Sequence, residues 1–200
     1  MQVIAGVDEV GRGPLAGPVV AAAAVFAEGY KNSAIKDSKK LSHAQREALV
    51  PIIKQDALAW AIVAVGHHRI DALNIRESSK LAMSLALLRT QKKLSGRIDR
   101  VLVDGNMRII TELVQETVVG GDNIHVEISA ASILAKVWRD GLMHVLDRRY
   151  PGYDLGKHAG YPTAAHRSAV ARLGPSPVHR RSFRGVSNNF SPSVPIRERG

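Results

Sequence analysis

Four short apolar runs limit what this chain can fold into. V-I-A-G-V at 3–7, P-V-V-A-A-A-A-V-F at 18–26, A-W-A-I-V-A-V at 59–65 and I-D-R-V-L-V at 98–103 are each bounded by glycine, proline or charge. Runs this short and this continuous read as strands buried on both faces. The stretches between them carry helical signals. In L-S-H-A-Q-R-E-A-L-V-P-I-I-K-Q, Ser42 is an N-cap with Gln45 three residues on, and Pro51 is placed to bend or end the helix. In S-S-K-L-A-M-S-L-A-L-L-R-T-Q-K-K-L-S-G, Leu81, Leu85 and Leu88 share one face and Gly96 is the stop. A helix beginning near Ser129 repeats Ile133, Leu134, Val137, Trp138, Val145 and Leu146 at helical spacing, with Lys136, Arg139 and Asp140 largely off that face. Buried strands alternating with helices make an α/β domain.

The C-terminal third has a different character. Residues 1–147 carry 18 Lys/Arg against 16 Asp/Glu, whereas residues 148–184 carry eight basic residues against Asp154 alone, a net of +7 within a total of +10. A near-neutral body with one concentrated basic segment suits a phosphate backbone as partner. That segment contains a short helix in G-Y-P-T-A-A-H-R-S-A-V-A-R-L-G-P, with Pro162 in its first turn and Gly174-Pro175 as its stop. The organisation is therefore a core at 1–147, a basic helical extension of the same domain at 148–184, and a mobile tail at 185–200 rich in Ser, Asn and Pro. There is no cysteine, so any metal is held by oxygen or imidazole. No run approaches the roughly 20 apolar residues of a membrane span, and no signal peptide precedes the first strand. The expectation is a cytoplasmic protein without membrane contact.

The first strand leads into G-V-D-E-V-G-R-G-P-L-A-G-P-V-V, residues 6–20. Gly11-x-Gly13-x-x-Ala16 formally fits a dinucleotide-binding turn, but that motif must open a helix, and here Pro14 and Pro18 lead into another strand. A metal site explains the adjacent Asp8 and Glu9 better. Asp104, at the end of R-V-L-V-D-G-N, and Asp122, after two glycines, supply two more carboxylates, although each also suits a turn. Four such groups could hold two Mg²⁺ or Mn²⁺ ions for in-line phosphodiester cleavage. Successive strand side chains point to opposite faces, so the strand is expected to distort or end at Asp8 and Glu9, with Gly11 and Gly13 easing the departure.

The blocks G-V-D-E-V-G-R-G-P-L-A-G, K-D-S-K-K-L-S, L-N-I-R-E-S-S-K-L-A-M, V-L-V-D-G-N, I-S-A-A-S-I-L-A-K-V-W-R-D, K-H-A-G-Y-P-T-A-A-H and H-R-R-S-F occur in one order over roughly residues 3–183. This ordered set resembles ribonuclease HII, the bacterial type 2 ribonuclease H. The resemblance implies a ribonuclease H-like mixed sheet flanked by helices, with a helical C-terminal extension. It implies an endoribonuclease, acting as a monomer, that cuts RNA/DNA hybrids and cuts 5′ of ribonucleotides embedded in duplex DNA. Two Mn²⁺ or Mg²⁺ ions would serve it, and the products would carry 3′-hydroxyl and 5′-phosphate ends.

Residue by residue, the family's metal-binding carboxylates fall on Asp8, Glu9, Asp104 and Asp122, with Asp8 and Asp104 the central ligands. Gly11, Arg12 and Gly13 match its ribose-reading element, and Tyr161 its junction-sensing tyrosine. Lys39 and Lys40 are matched as phosphate contacts, though lysines at a helix entry are ordinary. Ser129, Ser132 and Lys136 would orient ligands or touch backbone, Asp140 would support them, and Arg180 and Arg181 would grip phosphate. Gly120 departs from the pattern, standing where many relatives have lysine. The eight histidines read as surface residues, with His158 or His166 near substrate. Two rival classes are a non-catalytic hybrid-binding protein of the same fold and a metal nuclease aimed at branched DNA.

Overall fold

The computed structural model describes residues 2–36 and 38–186. Strands β1 (Ile4–Val10), β2 (Val19–Val25), β3 (Ala59–Val65), β4 (Arg100–Asp104) and β5 (Val114–Val118) form one mixed sheet in the order β3-β2-β1-β4-β5. β2 pairs antiparallel with β1 and β3, and β4 pairs parallel with β1 and β5. The first four strands coincide with the four apolar runs. β5 escapes the sequence reading because V-Q-E-T-V is an exposed edge strand with charge in its middle.

Helix α3 (Ile75–Lys93) packs on one face of the sheet; α1 (His43–Asp56) and α4 (Val126–Arg149) pack on the other. α1 begins with the Ser42–Gln45 capping box and carries Pro51 inside it without ending there. On α3 the buried stripe is Ala82, Met83, Ala86, Leu87 and Thr90, while Leu88 is exposed and Leu81 and Leu85 flank the core. The inward face is thus rotated from the Leu81–Leu85–Leu88 stripe to one that mixes Ala82 and Ala86 with Met83 and Leu87.

α4 starts three residues earlier than expected, at Val126, and Trp138 and Val145 on it are exposed while Arg139 is wholly buried. Its position follows from Gly6. A Cβ built there would lie 2.2 Å from the Glu127 carbonyl carbon. Only glycine allows α4 to rest directly on β1, which brings Ser132 beside Asp8.

Short helices α2 (His67–Leu73), α5 (Leu155–His158) and α6 (Ala164–Leu173) complete the described elements. Thr163 caps α6 by accepting from the His166 N–H, so Pro162 stands just before the helix, and Gly174 ends it. The basic extension is bound into the body: Ala16, Met143, Tyr153, Leu155, Ala169 and Val170 form a small core, and Ala16 bridges to His179. Of the expected tail, Val186 is buried, and residues 187–200 lie outside the described residues. Among the described residues, no helix is long and apolar enough to cross a membrane.

Candidate active site

β1 outruns its neighbour. Its last parallel pair with β4 is Val7–Val103, so Asp8, Glu9 and Val10 extend past the β4 ladder, still paired on their other side with Ala22, Ala21 and Val20. The strand therefore neither ends nor breaks its pairing at the two carboxylates, contrary to expectation. Because one edge is open, two side chains that start on opposite faces can both reach the same gap. Asp104, the last residue of β4, stands at the lip of that gap, where the register would set it next to Asp8. Asp122 arrives on a 3-10 turn, Gly121–Asn123, that follows Gly120 in a left-handed conformation.

Asp8, Glu9 and Asp104 line a cleft of about 290 Å³ together with Val10, Ser38, Lys39, Arg46, Ser132, Lys136 and Tyr161, and Asp122 lies outside that lining. Asp8 is buried, and its Oδ1 accepts from the Glu9 N–H at 2.7 Å. Burial, then the charges of Glu9 and Asp104, push its carboxyl well above the usual range, against a hydrogen bond from Ser132. Burial also raises Glu9, opposed by Arg12, whose Nη1 lies 3.4 Å from Glu9 Oε1. Asp104 is raised by burial and then by Asp122, although Oδ1 accepts from the Gly121 N–H at 2.8 Å. Asp122, nearly inaccessible, takes a hydrogen bond at 3.2 Å from Lys39 Nζ.

This is a set of hard oxygen donors with excess negative charge, and an ammonium already sits on one of them. The chemistry fits a divalent cation, because a bound positive charge offsets the burial, and the repulsion added to it, that raise the carboxyls. Among the described residues no group of three or more carboxylate or imidazole side chains is arranged as a metal-holding cluster.

The loop after β1 is held from beneath. Arg139 Nε, Nη1 and Nη2 donate to the carbonyls of Pro18, Ala159 and Ala16 at 3.0, 3.0 and 3.3 Å. Arg180 Nε, Nη1 and Nη2 donate to those of Gly17, Arg12 and Gly11 at 2.9, 2.9 and 2.6 Å. Both arginines are wholly buried, and burial pulls both below the usual arginine range. Arg180, read from the sequence as a phosphate grip, faces inward and spends its donors on this loop. Arg181 is exposed and outside the cleft lining; its N–H donates to Asp71 of α2.

Gly11 has φ +91, and a Cβ there would meet Arg139 Nε at 2.2 Å, so the backbone passes where no side chain fits. Gly13 faces the other way: the Tyr161 ring lies 3.4 Å from where its Cβ would be. Leu15 N–H donates to Gly160 O at 2.8 Å, which ties the loop to the Tyr161 turn.

Other matched residues take supporting places. Ser129 Oγ donates to Asp122 O at 2.7 Å, Lys136 pairs with Asp140 at 2.9 Å, and Lys40 Nζ donates to Asn123 Oδ1. Sequence reasoning missed Arg46, whose Nη1 holds the carbonyls of Ser38 and Leu41 at the cleft wall; nothing distinguishes it from other helix arginines. It also misplaced His166 and His179, which are fully buried.

Residues 5–186 match the family model described as Ribonuclease HII. The chain is 48% identical over 183 residues to a ribonuclease HII of Syntrophotalea carbinolica, covering 92% of this chain and 86% of that one. It is 49% identical over 188 residues to a ribonuclease HII of Chlorobium chlorochromatii, covering 90% and 89%. Among solved structures it resembles the ribonuclease H2 of Pyrococcus horikoshii, with a TM-score of 0.76 at 25% identity over 92% of this chain and 95% of that one.

Proposed function

The chain belongs to the ribonuclease HII family, and from that premise we propose that it is a divalent-metal-dependent endonuclease. It hydrolyses the RNA strand of RNA/DNA hybrids and cuts on the 5′ side of single ribonucleotides within duplex DNA. The observation that carries this reading is the overshoot of β1, which brings Asp8 and Glu9 into one gap with Asp104 and sets the glycine loop and Tyr161 beside it.

Asp8, Glu9, Asp104 and Asp122 would hold two Mn²⁺ or Mg²⁺ ions. When bound, these supply a lowered pKa for the attacking water and charge neutralisation at the leaving 3′-oxygen. Water oxygen bonds to phosphorus, the P–O3′ bond breaks, and the products carry 3′-hydroxyl and 5′-phosphate ends. The backbone of Gly11–Gly13 would meet a 2′-hydroxyl, the one group that separates ribose from deoxyribose. Tyr161, 40% exposed, has a face free to rest on the sugar of the neighbouring deoxynucleotide. Lys39 and Lys136 border the cleft; they would meet phosphates, as would the exposed Arg12 and Lys40 and the exposed cations of the 148–184 segment.

A cleavage panel of all-DNA, single-ribonucleotide and long-hybrid duplexes, with Mg²⁺, Mn²⁺ or chelator, tests the reading. Metal-dependent cutting of the two ribose-containing duplexes, with a 3′-hydroxyl left on the 5′ side of the ribonucleotide, is the expected result. Binding without cleavage would point instead to a non-catalytic hybrid-binding protein.

A further inference from the structure

We infer that His166 and His179 are positioning residues: a buried, one-way relay of hydrogen bonds through their rings fixes the backbone of Tyr161, and so the ring that stands over Gly13. The inference rests on the proposed reading of Tyr161 as the residue that meets the neighbouring deoxynucleotide.

The direction of the relay follows from its ends. Ser176 N–H donates to His179 Nδ1 at 3.0 Å, and the Ser176 hydroxyl lies 2.7 Å from the same atom. A backbone N–H can only donate, so His179 Nδ1 is unprotonated and its hydrogen is on Nε2. That hydrogen points at His166 Nε2, 3.0 Å away, which must accept. His166 therefore carries its own hydrogen on Nδ1, where Tyr161 O receives it at 2.9 Å. Both rings are wholly buried and neutral, and burial lowers the pKa of each.

The surroundings reinforce the arrangement. His158 stacks on His166 with ring centroids 4.4 Å apart, and its Nδ1 accepts from Gly160 N–H at 3.2 Å. By the same reasoning His158 Nε2 donates to Tyr153 O at 2.8 Å. Tyr161 N–H in turn donates to His158 O at 2.9 Å, and Tyr161 O accepts from the Thr163 N–H at 2.8 Å as well as from His166, so histidines hold both polar backbone groups of Tyr161 together with the start of α6.

His179 is followed by Arg180, which holds the carbonyls of Gly11 and Arg12. Two consecutive residues thus set the Tyr161 turn and the glycine loop against each other. A small shift of either would open or close the contact between the Tyr161 ring and Gly13, and misplacement by about 1 Å can cost on the order of a hundredfold in rate.

Two substitutions separate the halves of the relay. His166→Asn puts an amide where Nδ1 stands and keeps a donor for Tyr161 O. His166→Gln puts the amide where Nε2 stands and takes the imidazole donor from Tyr161 O, which keeps its other hydrogen bond, from the Thr163 N–H at 2.8 Å. The readout is the ratio of kcat/KM on a duplex with one ribonucleotide to kcat/KM on a long hybrid, measured on variants shown by circular dichroism to be folded. A merely structural defect lowers both values together. The relay predicts that His166→Gln, which loses the bond to Tyr161 O, lowers the ratio by about tenfold, while His166→Asn, which keeps that bond and gives up only the one from His179 Nε2, lowers it less.

An unchanged ratio for His166→Gln overturns the inference. If the parent protein cleaves neither duplex, it is the proposed function that fails. Independently of activity, ¹H–¹⁵N spectra of the imidazoles at pH 7 are expected to show His166 protonated on Nδ1 and His179 on Nε2. The opposite tautomers, or a cationic ring, would contradict the relay.

Discussion

The ring of Tyr161 lies across the backbone of Gly13, 3.4 Å from the point where a side chain would begin. Gly13 is not in a left-handed conformation, so alanine there suffers no backbone strain. Gly13→Ala is expected to leave stability within about 1 kcal/mol of the parent and to lower cleavage at a single ribonucleotide by at least about tenfold. Gly11→Ala is the contrast: with φ +91 and Arg139 at 2.2 Å, it is expected to cost about 2–4 kcal/mol. Denaturant unfolding and a cleavage assay on both variants check the pair.

Asp8→Asn separates stability from activity. The Asp8 carboxylate is held in a buried place against Glu9 and Asp104, and an amide of the same shape relieves both costs while still accepting from Glu9 N–H. The metal-free variant is expected to melt a few degrees above the parent, about 2–4 °C per kcal/mol for a chain of this size, and to lose cleavage. Calorimetry in chelator and a cleavage assay in Mn²⁺ measure the two effects.

Acid sensitivity follows from His179. Its pKa is lowered from 6.5 to about 4, by burial first and by His166 next. Above pH 6.5 the ring is neutral in both folded and unfolded chains. Between pH 6.5 and about 4 the unfolded chain takes up a proton that the folded chain refuses, so stability falls with pH, by about 3 kcal/mol in all. His166 acts in the same direction. The raised carboxyls of Asp8, Glu9 and Asp104 act in the opposite one. The comparison is therefore with His179→Asn: melting temperatures from pH 4 to 8 should fall less steeply in the variant than in the parent.

What could be read from the sequence depended on whether a residue's surroundings are local. β1, β2 and β4 are largely buried on both faces and the edge strand β3 on one, so their apolar runs are self-evident, and the Ser42–Gln45 cap needs only its own four residues. β5 is defined by its pairing with β4 rather than by its composition. The four carboxylates stood out by type and place, but the open edge that gathers them comes from the register of β1 on β4. Arg139 and Arg180 looked like surface charge. Apart from Ala159 O, 20 residues after Arg139, their partners are carbonyls 121 to 169 residues earlier, and no local pattern announces a buried guanidinium satisfied that way. The buried histidines have near partners, within 13 residues, but the packing that buries them comes from the fold.

The central claim is that Asp8, Glu9, Asp104 and Asp122 form the metal centre. Anomalous diffraction from crystals grown with Mn²⁺ tests it most directly. Peaks within coordination distance of these four carboxylates, with Lys39 displaced from Asp122, are the expected result. Mn²⁺ bound elsewhere, with these carboxylates free of metal, would contradict it.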